Sequence, residues 1–268
     1  MDKELAGRTV FVTGSGRGLG YAMAERLAEL GANLAIHDLD WTAPAKYGEA
    51  DDLGTVAAKL GRHGGKVTTV VGNIGDIAAV RQMRVDIESA LGPVDILVNC
   101  AGGDIGAAGG KPNPNTALDI SLEDIQVLTN NNLIGTMLVC QTFVAPMKER
   151  GEGVVVNIAS AAAHIGVSPE VVYSTLKAAV VHYTRCLAAE LRPHGVRVNA
   201  VSPGGTKTAR FVATRTVDPE RMQTNASLTR YADPAEIADA VAFLAGPRSR
   251  FINGQVLRVD GGFTLFPG

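Results

Sequence analysis

Seven short runs rich in Val and Ile recur along the chain: RTVFVTG, NLAIHD, KVTTVVG, VDILVNC, GVVVNIAS, VRVNAVSPG and GQVLRVDGG. Each is short enough for a strand and nearly continuous in apolar residues, the pattern of a strand covered on both faces. Between them apolar residues return every three or four positions, as in LGYAMAERLAELG (19–31), IAAVRQMRVDIESALG (77–92) and DPAEIADAVAFLAG (233–246), which predicts helices. Strand and helix alternate. The alternation predicts a doubly wound α/β fold built on a parallel sheet of about seven strands. No shift in composition marks a boundary, so residues 1–268 are expected to form a single domain.

Two stretches break the rhythm. Residues 102–119, GGDIGAAGGKPNPNTALD, are rich in Gly, Pro and Asn, and residues 204–232 mix polar and apolar positions without a period. Both follow the C-terminal end of a strand, where ligands bind in such sheets, and both are expected to form substrate walls. Two longer helical patterns, 121–149 and 172–193, carry more apolar positions than one buried stripe requires.

Charge and cysteine usage narrow the class. With 25 basic and 27 acidic residues and no basic tract, nothing supplies the phosphate-neutralising stripe that nucleic-acid binding needs. The N-terminus lacks the apolar core of a signal peptide, and no apolar stretch reaches the roughly 18 residues of a membrane helix, so a soluble cytoplasmic protein is expected. Cys100, Cys140 and Cys186 are isolated, odd in number and set in apolar segments, as reduced core cysteines would be. The five histidines show no paired spacing, and no metal site is expected.

Chemistry enters at VFVTGSGRGLGYAMAERL, where glycines at 14, 16, 18 and 20 lie between a strand and a helix. A glycine turn in that context lets backbone amides approach a pyrophosphate at the positive end of the helix. No GK[ST] follows, which disfavours a nucleoside triphosphatase. Asp38 ends the second strand, 18 residues after Gly20, near the spacing at which a carboxylate accepts hydrogen bonds from an adenosine ribose diol. Arg17 is a cation that could meet a 2′-phosphate instead. Asp38 fits the ribose edge more closely, so NAD is favoured over NADP.

VVYSTLKAAV (171–180) sets Tyr173 and Lys177 one helical turn apart. A snorkelling lysine beside a surface tyrosine would give this spacing. So would a pair in which the cation favours phenolate and brings proton exchange nearer neutrality. The spacing alone leaves both open.

Together, TGSGRGLG (13–20), NCAG (99–102), Ser160, Tyr173 with Lys177, and PG (203–204) resemble the short-chain dehydrogenase/reductase family, over roughly residues 6–263. The resemblance implies a homotetramer or dimer that moves hydride between a nicotinamide and a small-molecule secondary alcohol or ketone. It implies a catalytic set of Asn132, Ser160, Tyr173 and Lys177. Negative charge builds on the carbonyl oxygen during reduction, so Tyr173 would donate a proton there and Ser160 a hydrogen bond. Lys177 would lower the tyrosine pKa and hold the nicotinamide ribose. Asn132, the asparagine of NNLIG, would position a water that links Lys177 to solvent. Around the cofactor the resemblance places Gly14, Arg17, Gly18, Leu19, Gly20, Asp38, Asn99, Gly102, Pro203 and Gly204, with Thr208 at the carboxamide. Two positions depart from the family: Asn73 stands where an aspartate usually meets adenine, and Thr206 where an aliphatic residue is usual. Asn73 keeps an acceptor for adenine. His164 and Glu170 fall between Ser160 and Tyr173, where substrate-facing residues lie. The competing readings are a dinucleotide-binding sensor without chemistry and an NADP-dependent ketoreductase. An enoyl reductase would want a longer tyrosine-to-lysine spacing.

Overall fold

All seven apolar runs form strands of one parallel sheet in a computed structural model that describes residues 3–225 and 227–265. The strands are β1 (Thr9–Thr13), β2 (Asn33–Asp38), β3 (Val67–Val71), β4 (Ile96–Asn99), β5 (Gly153–Ile158), β6 (Val196–Pro203) and β7 (Val256–Val259). Their order is β3-β2-β1-β4-β5-β6-β7. The order reverses direction between β1 and β4, which opens a crevice at the C-terminal ends of those two strands.

The helices are α1 (Gly18–Glu29), α2 (Leu53–Gly61), α3 (Ile77–Leu91), α4 (Leu122–Thr129), α5 (Gly135–Arg150), α6 (Val171–Leu191), α7 (Ala209–Ala213) and α8 (Pro234–Ala245). Successive strand side chains point to opposite faces, and both faces are covered. Val10 and Val12 pack under α1, α2 and α8, whereas Phe11 between them packs with residues of α3 and α5. Each fully buried side chain of this size contributes roughly 1.5–3 kcal/mol, which explains why the strands read as unbroken apolar runs.

The expected helix over 121–149 is three pieces, because a π-helical turn, Asn130–Ile134, separates α4 from α5. Gly135 packs against Ile74 so closely that a Cβ there would lie 2.6 Å from the isoleucine side chain. Within the turn, the Asn132 amide donates to Leu128 O at 2.9 Å and to Gly103 O at 3.0 Å. The extra residue therefore brings Asn132 to the bend after β4, a frequent role for π-turns at functional sites. The cysteine expectation needs correction: Cys140 is buried, but Cys100 is half-buried and Cys186 lies exposed on α6.

Candidate active site

The glycine turn closes the crevice at its β1 side. Gly14 has φ +66°, and a Cβ there would lie 2.8 Å from Ala101 Cα, so the ends of β1 and β4 touch at this point. A Cβ on Gly20 would lie 2.0 Å from Gly14 O, so only glycine lets α1 start this near the strand. Thr13 Oγ1 accepts from the amides of Cys100 (3.0 Å) and Ala101 (3.1 Å), tying the two strand ends together. His37 locks the floor: its Nδ1 accepts from Gly14 N at 3.1 Å and its Nε2 lies 2.9 Å from Gly72 O. That pairing fits a neutral ring with the proton on Nε2, and burial lowers its pKa in the same direction.

Helix capping distinguishes α1 from its neighbours. Asp52, Asp76, Ser121 and Thr208 cap α2, α3, α4 and α7 with their own side chains. Arg17 at the start of α1 supplies no such bond; instead Glu49, from the segment after β2, accepts from Gly18 N at 2.7 Å. A carboxylate thus occupies the anion position of the helix N-terminus. Arg17 stacks on Tyr47 at 4.9 Å, and its Nη1 is buried without a hydrogen-bond partner among the described residues. Asp38 is buried, and a Cβ on Gly16 would lie 2.7 Å from its Oδ2, so its carboxylate borders the turn. The close-packed glycines, the orphaned guanidinium nitrogen and a carboxylate standing in for an anion all fit a dinucleotide phosphate.

The same crevice continues into a cavity of about 1070 Å³ lined by Ser160, Tyr173 and Lys177. Ser160 lies two residues past the end of β5, beside the Tyr173 hydroxyl whose pKa it lowers. Lys177 is 5% exposed and donates to Ile158 O at 2.9 Å, which rules out the snorkelling reading. The expected lowering of the tyrosine pKa by Lys177 is not met in the protein alone. The ammonium lies 5.8 Å from the ring centroid, and burial raises Tyr173 above its ordinary value against the opposing Ser160 hydrogen bond and Arg210 charge. Burial also pushes Lys177 down to about 8.

Most of the remaining sequence-derived positions line this cavity: Leu19, Asn73, Gly102, Pro203, Gly204, Thr206 and Thr208. Asn99 and Asn132 stand behind the wall. Asn99 Nδ2 bonds Asn157 Oδ1 at 2.9 Å across the sheet centre, and Asn132 Oδ1 accepts from Gly103 N at 2.8 Å. Asn132 therefore grips Gly103 through both its amide and its carbonyl. Of the two residues between Ser160 and Tyr173, His164 bonds Ser202 Oγ at 2.9 Å, while Glu170 faces the cavity.

Both irregular stretches form walls. Glu170, at φ +84°, meets Lys111 from the 102–119 stretch and Arg215 from the 204–232 stretch, the latter at 2.9 Å. Lys111 also lies 3.4 Å from the buried Asp104. Sequence reading missed Glu49, Tyr47, Asp104, Lys111, Arg210 and Arg215, since none lies in a periodic segment or a motif. Among the described residues, no group of three or more His, Cys, Asp or Glu is placed to hold a metal ion, and no helix is long and apolar enough to cross a membrane.

Residues 14–264 match a family model described as enoyl-(acyl carrier protein) reductase. The chain is 35% identical over 267 residues to D-threitol dehydrogenase of Mycolicibacterium smegmatis, covering 98% of this chain and 95% of that one. It is 32% identical over 269 residues to cyclohexanol dehydrogenase of a Rhodococcus species, with 97% of each chain covered. A solved 3-oxoacyl-(acyl-carrier protein) reductase from Brucella melitensis with bound NAD superposes with TM-score 0.81 at 28% identity, covering 97% of this chain and 92% of that one. The chain belongs to the short-chain dehydrogenase/reductase family. Several relatives, the threitol and cyclohexanol enzymes and a glucose 1-dehydrogenase of Gluconobacter oxydans among them, are alcohol or sugar dehydrogenases, and the chain is an oxidoreductase.

Proposed function

We propose that the protein transfers hydride between NAD(H) and a small-molecule secondary alcohol or ketone, with Tyr173 as general acid/base, the whole chain acting as one dinucleotide-binding and catalytic domain. The observation that carries this reading is Ser160, Tyr173 and a buried lysine one turn along α6 gathered on the wall of one cavity. A sensor would have no use for that buried cation. The nicotinamide, when bound, supplies or accepts the hydride. Gly14, Gly18 and Gly20 would admit its pyrophosphate, Asp38 its adenosine ribose, Asn73 its adenine edge, and Pro203, Gly204, Thr206 and Thr208 its nicotinamide end. The protein's own work is to hold and move a proton at the substrate oxygen. Tyr173 gives it in reduction and takes it in oxidation, Ser160 holds the oxygen, and Lys177 holds the ribose. Asn132 fixes Gly103 and with it the bend that borders the reacting centre. Incubation with a panel of alcohols and ketones and both NAD(H) and NADP(H), read by absorbance of the reduced nicotinamide, tests the reading; no turnover anywhere would favour the sensor.

Cofactor choice rests on Asp38 against Arg17. A 2′-phosphate beside the buried Asp38 would make a like-charge contact that costs several kcal/mol, and Arg17, already stacked on Tyr47, offsets only part of it. Efficiency with NAD should exceed that with NADP by at least about tenfold. Asp38→Ala should narrow the gap by admitting NADP. A wild-type preference for NADP, or an unchanged ratio in the variant, would make Arg17 the determinant and favour the NADP-dependent ketoreductase.

Assembly follows from the helices beside the site. On the π-turn and α5, Leu133, Met137 and Leu138 are half-buried and Ile134 exposed, an apolar strip that this chain alone leaves uncovered. A homotetramer working in the cytoplasm, without nucleic-acid or membrane partners, is the proposed form. Light scattering at micromolar concentration should give four times the 27.9 kDa chain mass, and a monomer mass would refute the assembly.

A further inference from the structure

We propose that Arg210 is the carboxylate-binding residue of the substrate pocket, so that the alcohol or ketone this enzyme takes carries a carboxylate near the reacting carbon. The proposal rests on the reading of Tyr173 as acid/base.

The argument begins with the charges on the cavity wall around Tyr173. Lys177 aside, Glu170, Arg210 and Arg215 are the charged cavity-lining groups that act on Tyr173, and Asp104 and Lys111 line the cavity beside them. Lys111 meets both carboxylates, and Arg215 meets Glu170 at 2.9 Å. Arg210 is left over. Among the described residues it has no ion pair; its Nη1 donates to the carbonyl of Gly102 at 3.2 Å. The guanidinium lies on the backbone of Gly103, where a Cβ would come within 2.8 Å of Nη1 and 2.9 Å of Nη2. Gly103 is in turn the residue that Asn132 grips from behind, so the cation rests on a fixed surface.

Its direction separates a substrate group from the cofactor phosphates. The phosphate position is the Gly18 amide, and the residue of this loop that lies against Gly18 is Thr208, 3.6 Å from a Cβ built there. Arg210, two residues on, acts instead on Tyr173, Lys177 and Cys100, whose electrostatics it perturbs. A half-buried cation without a counterion is unfavourable, and a carboxylate matches the guanidinium fork with two parallel hydrogen bonds. A neutral substrate would leave that cation unpaired, which is the basis of discrimination. Ile105, Ile165, Val167 and Phe211 line the same cavity and would cover a hydrocarbon frame. The substrate class is thus a hydroxy acid, or the matching oxo acid, on an apolar frame.

The test uses matched probes: 3-hydroxybutanoate, 4-hydroxypentanoate and 3-hydroxycyclohexanecarboxylate, each against its methyl ester. With NAD, wild-type kcat/KM should favour the carboxylate of at least one pair by about tenfold or more. In Arg210→Met the carboxylate should fall about a hundredfold, collapsing the ratio towards one, and Arg210→Lys should recover part of it. The NAD Kd, titrated by fluorescence, should stay put. Wild-type preference for the esters overturns the proposal, as does an Arg210→Met loss that falls equally on both members of a pair with a weaker NAD Kd, which would put the guanidinium on a cofactor phosphate. If nothing turns over, the hydride-transfer reading fails separately. Equilibrium dialysis of the same pairs against the protein with NADH then still decides whether Arg210 selects carboxylates: a carboxylate preference lost in Arg210→Met supports it, and no preference overturns it. Circular dichroism of both variants guards against misfolding, and Arg210→Lys carries the comparison should Arg210→Met fail to fold.

Discussion

Tyr173→Phe is expected to lower turnover by about a thousandfold while leaving dinucleotide affinity within a few fold of wild type. The substitution removes one oxygen and keeps the ring, so the packing of α6 against the cavity is retained. What is lost is the proton donor itself, and a positioned acid/base contributes roughly a hundred- to ten-thousandfold. Ser160 cannot take over, because an alkyl hydroxyl is far less acidic than a phenol and makes a poor proton donor to the substrate oxygen. The loss should appear in kcat and not chiefly in KM, since the proton moves in the transition state. Steady-state rates together with a fluorescence titration of NAD check both halves. Activity within a few fold of wild type would remove Tyr173 from the chemistry; equal loss of NAD binding would mean that the phenol serves the cofactor site.

The five inner strands were legible because each is covered on both faces, so burial writes itself as an unbroken apolar run, whereas the half-exposed edge strands β3 and β7 were legible from their valines alone. The site was legible where its parts are local. The glycine turn spans one strand-to-helix connection, and Tyr173 and Lys177 lie one turn apart on one helix. Glu49 was not legible, because it reaches Gly18 across 31 residues from a segment with no period, and only the folded chain brings its carboxylate to that amide. The charged wall is a stronger case. Lys111, Glu170 and Arg215 come from three separate irregular stretches, and nothing about any one of them predicts the other two. The π-turn escaped notice since its sequence, NNNLI, continues a helical pattern, and the contacts that accompany it, Asn132 with Gly103 and Gly135 against Ile74, are tertiary. The pairing of tyrosine and lysine was found for a reason the fold only half supports. The lysine is buried and near, but in the protein alone burial raises the phenol, and the opposing influences are the Ser160 hydroxyl and the charge of Arg210.

Lys177→Met should produce an enzyme that has lost activity and weakened its hold on the cofactor, yet melts at a higher temperature at pH 7. The reason is the burial of an ammonium. Desolvation moves Lys177 from its usual value near 10.5 down to about 8, so the folded protein holds this proton less tightly than the unfolded chain does. At 1.36 kcal/mol per pKa unit, the charged form is disfavoured by about 3 kcal/mol wherever both states are protonated, that is, below about pH 8. Between about 8 and 10.5 the unfolded chain binds more protons, so wild-type stability rises with pH across that window and is lost again as pH falls. Methionine fills a similar volume and does not titrate. It removes the burden of the buried charge and forfeits the 2.9 Å hydrogen bond to Ile158 O, worth about 1 kcal/mol. The balance favours the variant by about 1–2 kcal/mol at neutral pH, a rise of a few degrees for a chain of this size. The gap should close as pH climbs from 8 towards 10.5, because only the wild type gains there. Turnover should fall at least about a hundredfold and NAD affinity at least about tenfold, since in the proposed mechanism one ammonium serves both the reacting centre and the ribose. Calorimetric melts across that pH range, run beside NAD titrations, read the two effects independently. A variant that melts below wild type at pH 7 would show that the buried ammonium is already compensated in the folded chain, and one that binds NAD normally would confine Lys177 to the chemistry of Tyr173.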